Sequence, residues 1–291
     1  MEGKNVLVTG ATSGIGFYTA RALALKGARV IVTGRNEERG REAVAEIRRH
    51  VGHDRVDFIT ADHSTVAGNR DLAKKVSGQL DHLDVLVNNV GGMYSQRRES
   101  EDGIEYTLAM NFIGPFTLTD ELLPVLRGSS RIINAVSSAF EMWKQDPLED
   151  LEGKEPYVGI QAYAHAKLLN ILWTLALARK LGEEGTDITV NAVNPGMAWT
   201  QNTRSITPEA VPAWKFFWPI VRWMQRRASA ETASRSAIFL ASSDEVADVS
   251  GEYFESNGKR KRPSPTVLDA DHQEHAYQCA ERLVLQASKH A

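Results

Sequence analysis

The sequence predicts an α/β protein built on a parallel sheet, and three observations carry that prediction. Short β-branched runs alternate with longer amphipathic ones over the first two hundred residues. The short runs are continuously apolar rather than alternating, as strands covered by helices on both faces must be. No proline-rich or serine-rich linker interrupts the 291 residues, and no repeat longer than the βα alternation itself is present, so a single domain is expected.

The elements follow in order. "NVLVT" (5–9) is the first strand and "GFYTARALALKG" (16–27) the helix after it. "RVIVT" (29–33) and "NEERGREAVAEIRRH" (36–50) repeat the pair, and "RVDFIT" (55–60), "LDVLVN" (83–88), "RIINAV" (131–136) and "ITVNAV" (188–193) supply four more strands. Strands separated by helices imply βαβ units joined by right-handed crossovers.

Between the first strand and its helix lies "TGATSGIG" (9–16), with Gly10, Gly14 and Gly16. Glycine is required where the backbone must turn sharply and pass close to a pyrophosphate whose charge sits at a helix N-terminus. The spacing differs from GxGxxG, but its place after a strand and before a helix is the context that makes such a cluster informative. The expected fold is therefore a Rossmann-type doubly wound parallel sheet. After the second strand comes Arg35, where an acidic residue would otherwise hold a ribose 2′-hydroxyl. A guanidinium there suits a 2′-phosphate, which favours NADP(H) over NAD(H). Asp62 in "ITADHS" follows the third strand at a place suited to the adenine edge, and "VNNVGG" (87–92) follows the fourth. Both lie at the carboxyl ends of strands, where open α/β sheets bind ligands.

Composition narrows the partners. A net charge of −3 with 24% charged residues gives no reason to expect nucleic acid. The basic run Lys259 to Arg262, beside two prolines, is read as a solvated loop. The single cysteine, Cys279, excludes an intramolecular disulfide and the usual structural zinc sites, and no metal is expected. The pairs His50 with His53 and His272 with His275 lack a third ligand and are read as surface. No apolar run of about 20 residues occurs, so no transmembrane segment is expected and the location is taken as cytoplasmic.

"TGATSGIG", "NNVG", Ser137 with Ser138, "YAHAK" (163–167) and "NPG" (194–196) stand in one order, and that set resembles the short-chain dehydrogenase/reductase family over about residues 3 to 256. The 25 residues from Ser138 to Tyr163, the continuation "AKLLNILWTLALARKL" and "SGEYF" (250–254) before a basic stretch are most similar to its retinol dehydrogenase and protochlorophyllide reductase branch. Val90 departs from the family's alanine, and where membrane-bound retinol dehydrogenases typically carry an N-terminal anchor, this sequence begins almost at its first strand.

The resemblance implies a catalytic set of Asn111, Ser138, Tyr163 and Lys167. Reduction of a carbonyl needs a proton on oxygen, and a phenol gives one efficiently when its pKa is brought down toward the working pH. Tyr163 is expected as general acid or base, with the Lys167 ammonium one turn away stabilising the phenolate and holding the nicotinamide ribose. Ser138 would donate to the substrate oxygen, with Ser137 the competing serine. Asn111 is expected to hold a water toward Lys167, or else to make a backbone contact. His165 is expected to be a bystander. The cofactor set comprises Gly10, Thr12, Ser13, Gly14, Ile15, Gly16, Arg35, Asn36, Asp62, His63, Asn88, Asn89, Gly91, Tyr163, Lys167, Pro195, Gly196 and Thr200, the last resembling the residue on the nicotinamide carboxamide.

Residues 201–228 are expected to form a helical substrate lid, and 256–291 a C-terminal extension. Within the lid, "ITPEAVPAWKFFWPIVRWMQRR" (206–227) holds three of the six tryptophans and is expected to break at Pro219. It points to a large apolar substrate, to aromatics sealing the lid, or to peripheral lipid contact through 208–227, where Lys215, Arg222, Arg226 and Arg227 lie among the rings. The expected activity is carbonyl–alcohol interconversion on a lipophilic small molecule, by a monomer or homo-oligomer. The alternative is a nucleotide-binding regulatory protein without turnover, against which the intact catalytic set argues.

Overall fold

Apolar runs that tolerate burial on both faces assemble into seven parallel strands: β1 (Asn5–Val8), β2 (Arg29–Gly34), β3 (Val56–Thr60), β4 (Leu83–Asn88), β5 (Leu126–Ala135), β6 (Thr189–Val193) and β7 (Tyr253–Phe254). The computed structural model describes residues 1–151, 156–204, 206–212 and 217–289. The sheet order is β3-β2-β1-β4-β5-β6-β7, so the chain reverses direction across the sheet between β1 and β4. Ligand crevices of open sheets form at that reversal, beyond the carboxyl ends of the strands.

Strand periodicity sorts the core into two layers. Leu7, Ile31, Leu86 and Ile132 face one side, where they pack with α3 (Val66–Ser77), α5 (Gly114–Leu122) and α6 (Gly159–Glu183). Val6, Val8, Val30, Val32, Val85 and Val87 face the other, beneath α1 (Gly14–Leu25), α2 (Glu37–Val51) and α9 (Ala230–Ser242). A last helix, α11 (Ala270–Ala287), lies on α6, with Tyr277 edge-on to Phe116 at 5.3 Å and Lys180 over the Tyr277 ring.

The expected strands are all present, with shifted ends. β1 stops at Val8 because the Thr9 hydroxyl accepts from the Asn89 and Val90 amides, which turns the chain. β5 begins five residues early, pairing Leu126 with Leu83 across a register irregularity. β7 pairs with Ala192 and Val193 of β6 and is too short for a run of its own to announce it. Pro219 does not break a helix: it sits in the first turn of α8 (Trp218–Arg227), where its missing N–H costs nothing. Trp214, Lys215 and Phe216 lie outside the described residues. In the basic run, Lys261 pairs with Glu141 at 2.9 Å and Glu255 at 3.1 Å, which fastens that loop to the end of the sheet.

Under the carboxyl end of the sheet a buried chain of polar side chains joins four elements. Asn88 donates to Thr119 at 2.9 Å and to Asn134 at 2.8 Å, and Asn134 donates to Thr174 at 2.9 Å. The Thr174 hydroxyl donates to the Asn170 carbonyl. Removing one link strands its buried neighbours without partners. Asn134→Ala should therefore lower unfolding free energy by about 2–3 kcal/mol, read as a fall in urea midpoint at unchanged slope.

Candidate active site

The glycine turn is built from backbone only glycine adopts easily. Gly10 and Gly14 both have φ of +61°. At Gly16 a Cβ would lie 2.7 Å from the Gly10 carbonyl and 2.6 Å from the Asn89 amide nitrogen, so the helix can start this close to the strand only without a side chain. Asn89 braces the turn through the Thr9 and Gly10 carbonyls at 2.9 and 3.3 Å. Ser13, at the N-cap of α1, makes no capping bond with its side chain.

Above this turn opens a groove of about 500 Å³. Of the residues expected to hold a cofactor, Gly10, Thr12, Ser13, Gly14, Ile15, Arg35, Asn36, His63, Asn89, Gly91 and Thr200 line it. Val90, the departure from the family's alanine, lines it as well, and so do Gly34, Arg39, Tyr94 and Met110, which the sequence reading missed. Arg39 had a signal: it is one helical turn beyond Arg35, at the start of α2. The donor set, Arg35, Arg39 and the N-terminus of α1, suits a nucleotide phosphate. Arg35 donates to the Tyr106 hydroxyl at 2.8 Å, and Thr200 packs against Gly14.

Other expected members are placed elsewhere. Asn88 belongs to the buried polar chain beneath the groove, because its amide points down into the sheet–helix interface. Asp62 accepts from the Ser64 amide and hydroxyl, and neither it nor Pro195 nor Gly196 lines the groove. His63 lines it but is tied at both ring nitrogens, to Thr33 at 2.8 Å and Asn69 at 3.0 Å. Burial pushes its pKa down to about 4, so it serves as a neutral brace.

At the carboxyl end of β5 the catalytic candidates converge. Tyr163 and Lys167 occupy successive turns of α6, with the ammonium nitrogen 5.8 Å from the phenol ring centre. Lys167 is buried and donates to the Ala135 carbonyl at 2.7 Å. Asn111 lies in a π-helical turn (Ala109–Ile113), bonded to both backbone groups of Gly92. A Cβ on Gly91 would fall 2.5 Å from the Asn111 side-chain oxygen and 3.1 Å from the Lys167 nitrogen, so the glycine leaves the room in which those two groups meet. Asn111 thus makes the backbone contact held open as its alternative role.

The serines divide. Ser137 favours the ionised Tyr163 phenol and accepts from the Ala139 amide at 3.2 Å, whereas Ser138 is exposed at the first position of the 3₁₀ turn Ser138–Met142. The electrostatics depart from expectation too. Burial raises the Tyr163 pKa, and the Ser137 hydrogen bond offsets that only in part. The Lys167 ammonium is turned to the Ala135 carbonyl, and burial pushes its own pKa down to about 7.

His165, expected to be a bystander, is buried and stacked on Trp143 with ring centres 4.1 Å apart, and it bonds the Pro147 carbonyl at 2.7 Å. It fastens the stretch after the serines to the helix that carries the tyrosine.

A depressed lysine pKa means that the unfolded chain binds the proton more tightly than the folded one. Charging Lys167 therefore costs stability below about pH 7, and stability is regained as pH rises from about 7 toward the unfolded value of 10.5. Lys167→Met should raise the urea midpoint of the nucleotide-free protein at pH 7, and the gain should narrow toward zero above pH 10.5.

The family profile described as short chain dehydrogenase matches residues 4–210. Polyprenol dehydrogenase of Mus musculus is 35% identical over 275 residues, spanning 92% of this chain and 80% of that protein. Retinol dehydrogenase 13 of Homo sapiens is 35% identical over 279 residues, 93% of this chain and 81% of that protein. Among solved structures, a short chain dehydrogenase from Burkholderia cenocepacia in complex with NADP superposes with a TM-score of 0.69 at 28% identity, over 88% of this chain and 97% of that one. The Pseudomonas aeruginosa RhlG/NADP active-site complex gives 0.68 at 29%, over 89% and 96%.

Proposed function

The chain belongs to the short-chain dehydrogenase family, and from that premise we propose that it is an NADP(H)-dependent oxidoreductase interconverting a carbonyl and an alcohol on a lipophilic small molecule. The observation that carries the reading is the meeting of Ser137, Tyr163, Lys167 and Asn111 beside a groove shaped for a dinucleotide. Arg35 and Arg39 at the groove's end favour a cofactor with a 2′-phosphate, as do relatives solved with NADP. The names of the retinol and polyprenol dehydrogenases support a lipophilic substrate.

The nicotinamide cofactor, when bound, supplies or accepts the hydride. This chain's residues handle the proton and the oxygen. The Tyr163 hydroxyl gives a proton to the carbonyl oxygen in reduction and takes it from the alcohol in oxidation. Ser137 supplies the phenol's hydrogen-bond partner, and Ser138, open to the site, donates to the substrate oxygen as charge grows there. A charged Lys167 favours the phenolate, and Asn111 with Gly91 fixes where that ammonium can turn.

Tyr163→Phe should cut kcat by at least about 10²-fold with NADPH affinity nearly unchanged, measured by loss of 340 nm absorbance over a panel of long-chain and short aldehydes and ketones and by nucleotide titration. Tight NADPH binding with no turnover on any panel member by the unaltered protein would instead identify a nucleotide-binding regulatory protein. Arg35→Asp should shift the NADPH-to-NADH preference by at least about tenfold toward NADH, and unchanged selectivity would assign the 2′-phosphate to Arg39.

A further inference from the structure

Helix α8 is packed the wrong way round for a helix of a water-soluble surface. Its inward side carries Arg222 and the buried Gln225, beside the half-buried Trp218 and Val221. Arg222 fastens that side by donating to the Thr203 carbonyl at 2.8 Å and the Arg204 carbonyl at 3.1 Å while lying over the Trp199 ring at 4.7 Å. The outward side holds Ile220 at 58% and Trp223 at 55% exposure, and Phe217 at its entrance is 63% exposed. These are three of the eight exposed large apolar side chains among the described residues, gathered within seven positions. An apolar ridge of that kind is ordinarily turned into the protein.

Charge says what would cover it. The helix "WPIVRWMQRR" has three arginines and no acid. Arg226 and Arg227 are exposed at its C-terminal end, and the Arg227 guanidinium lies 3.9 Å from the centre of the Trp223 ring. The next acid along the chain, Glu231, is taken up by Arg21 at 2.6 Å. An indole with a guanidinium beside it, aliphatic and aromatic neighbours along one side and two exposed arginines at the end match the boundary between acyl chains and anionic headgroups.

We propose that α8, with Phe217, is an interfacial helix that seats this protein on an anionic lipid surface. The helix is about 15 Å long, enough to lie in the plane of the interface but not to cross it. Its root, Arg222 on the Thr203 and Arg204 carbonyls, is a few residues from Thr200 at the groove, so docking holds the site beside the phase in which a lipophilic substrate dissolves. The inference does not depend on the carbonyl–alcohol reading, because lipid binding is measured without turnover.

The test is co-sedimentation of the full chain with vesicles of phosphatidylcholine alone or mixed with phosphatidylglycerol. Binding should be confined to the mixed vesicles, fall with added salt, and weaken by roughly tenfold both in Ile220→Ser/Trp223→Ser and in Arg226→Gln/Arg227→Gln, with NADPH affinity unchanged in the apolar pair. Failure of the unaltered protein to bind mixed vesicles, or binding indifferent to both pairs of substitutions, overturns the proposal. So does concentration-dependent self-association that Ile220→Ser/Trp223→Ser abolishes, since the ridge would then belong to a second copy. Should the apolar pair lower the melting temperature, Ile220→Cys carrying an environment-sensitive dye replaces it, Cys279 being buried. A blue shift on mixed vesicles supports the proposal and an unchanged spectrum refutes it.

Discussion

The candidate site depends on the burial of one ammonium group. Lys167 is buried on α6, no carboxylate among the described residues forms an ion pair with it, and it donates to the Ala135 carbonyl at 2.7 Å. Burying a cation this way is costly, and the protein meets the cost by letting the group titrate near neutrality rather than by pairing it. The surroundings follow from keeping that nitrogen free to turn. Gly91 must lack a side chain, the Asn111 turn must widen to a π-helical form, and β5 must end where its last carbonyl can catch the amine. A carboxylate at this place would fix the lysine permanently charged and pointed away from Tyr163.

Much of this was legible in the chain because it is written in local terms. A glycine that has no room for a Cβ, a strand buried on both faces and a tyrosine four residues ahead of a lysine are features of a few neighbouring positions, and each appears where the residue order put it. Contacts across long sequence separations were not legible. Nothing in "LVNN" distinguishes Asn88, which points down to Asn134, from Asn89, which points up to the glycine turn; the alternation of a strand does, once its register is known. Ser137 and Ser138 likewise differ only in the direction imposed by the 3₁₀ turn that follows them. The packing role of His165 was not legible for the same reason: its partners, Trp143 and Pro147, lie about twenty residues upstream in a stretch without periodicity.

The lid segment shows a different limit of pattern reading. Its aromatics and arginines were visible, and each of three roles for them fitted the composition. What separates the roles is which side of α8 touches the protein, a matter of orientation that spacing leaves open because Arg222 can anchor a helix as firmly as an apolar stripe can.

The helix bearing the tyrosine and lysine is also held from outside. α11 covers it through Tyr277, which meets Phe116 and lies under Lys180, and through Gln273, which accepts from Arg179 at 2.6 Å. Trp173, fully buried, packs on the same Phe116 from the α6 side. A helix clamped on one side by the sheet and on the other by the chain's own C-terminal segment has little freedom to rotate, and rotation by even one residue would carry Tyr163 away from Ser137. The C-terminal extension, none of whose described residues lines the groove, is therefore part of what keeps Tyr163 facing Ser137.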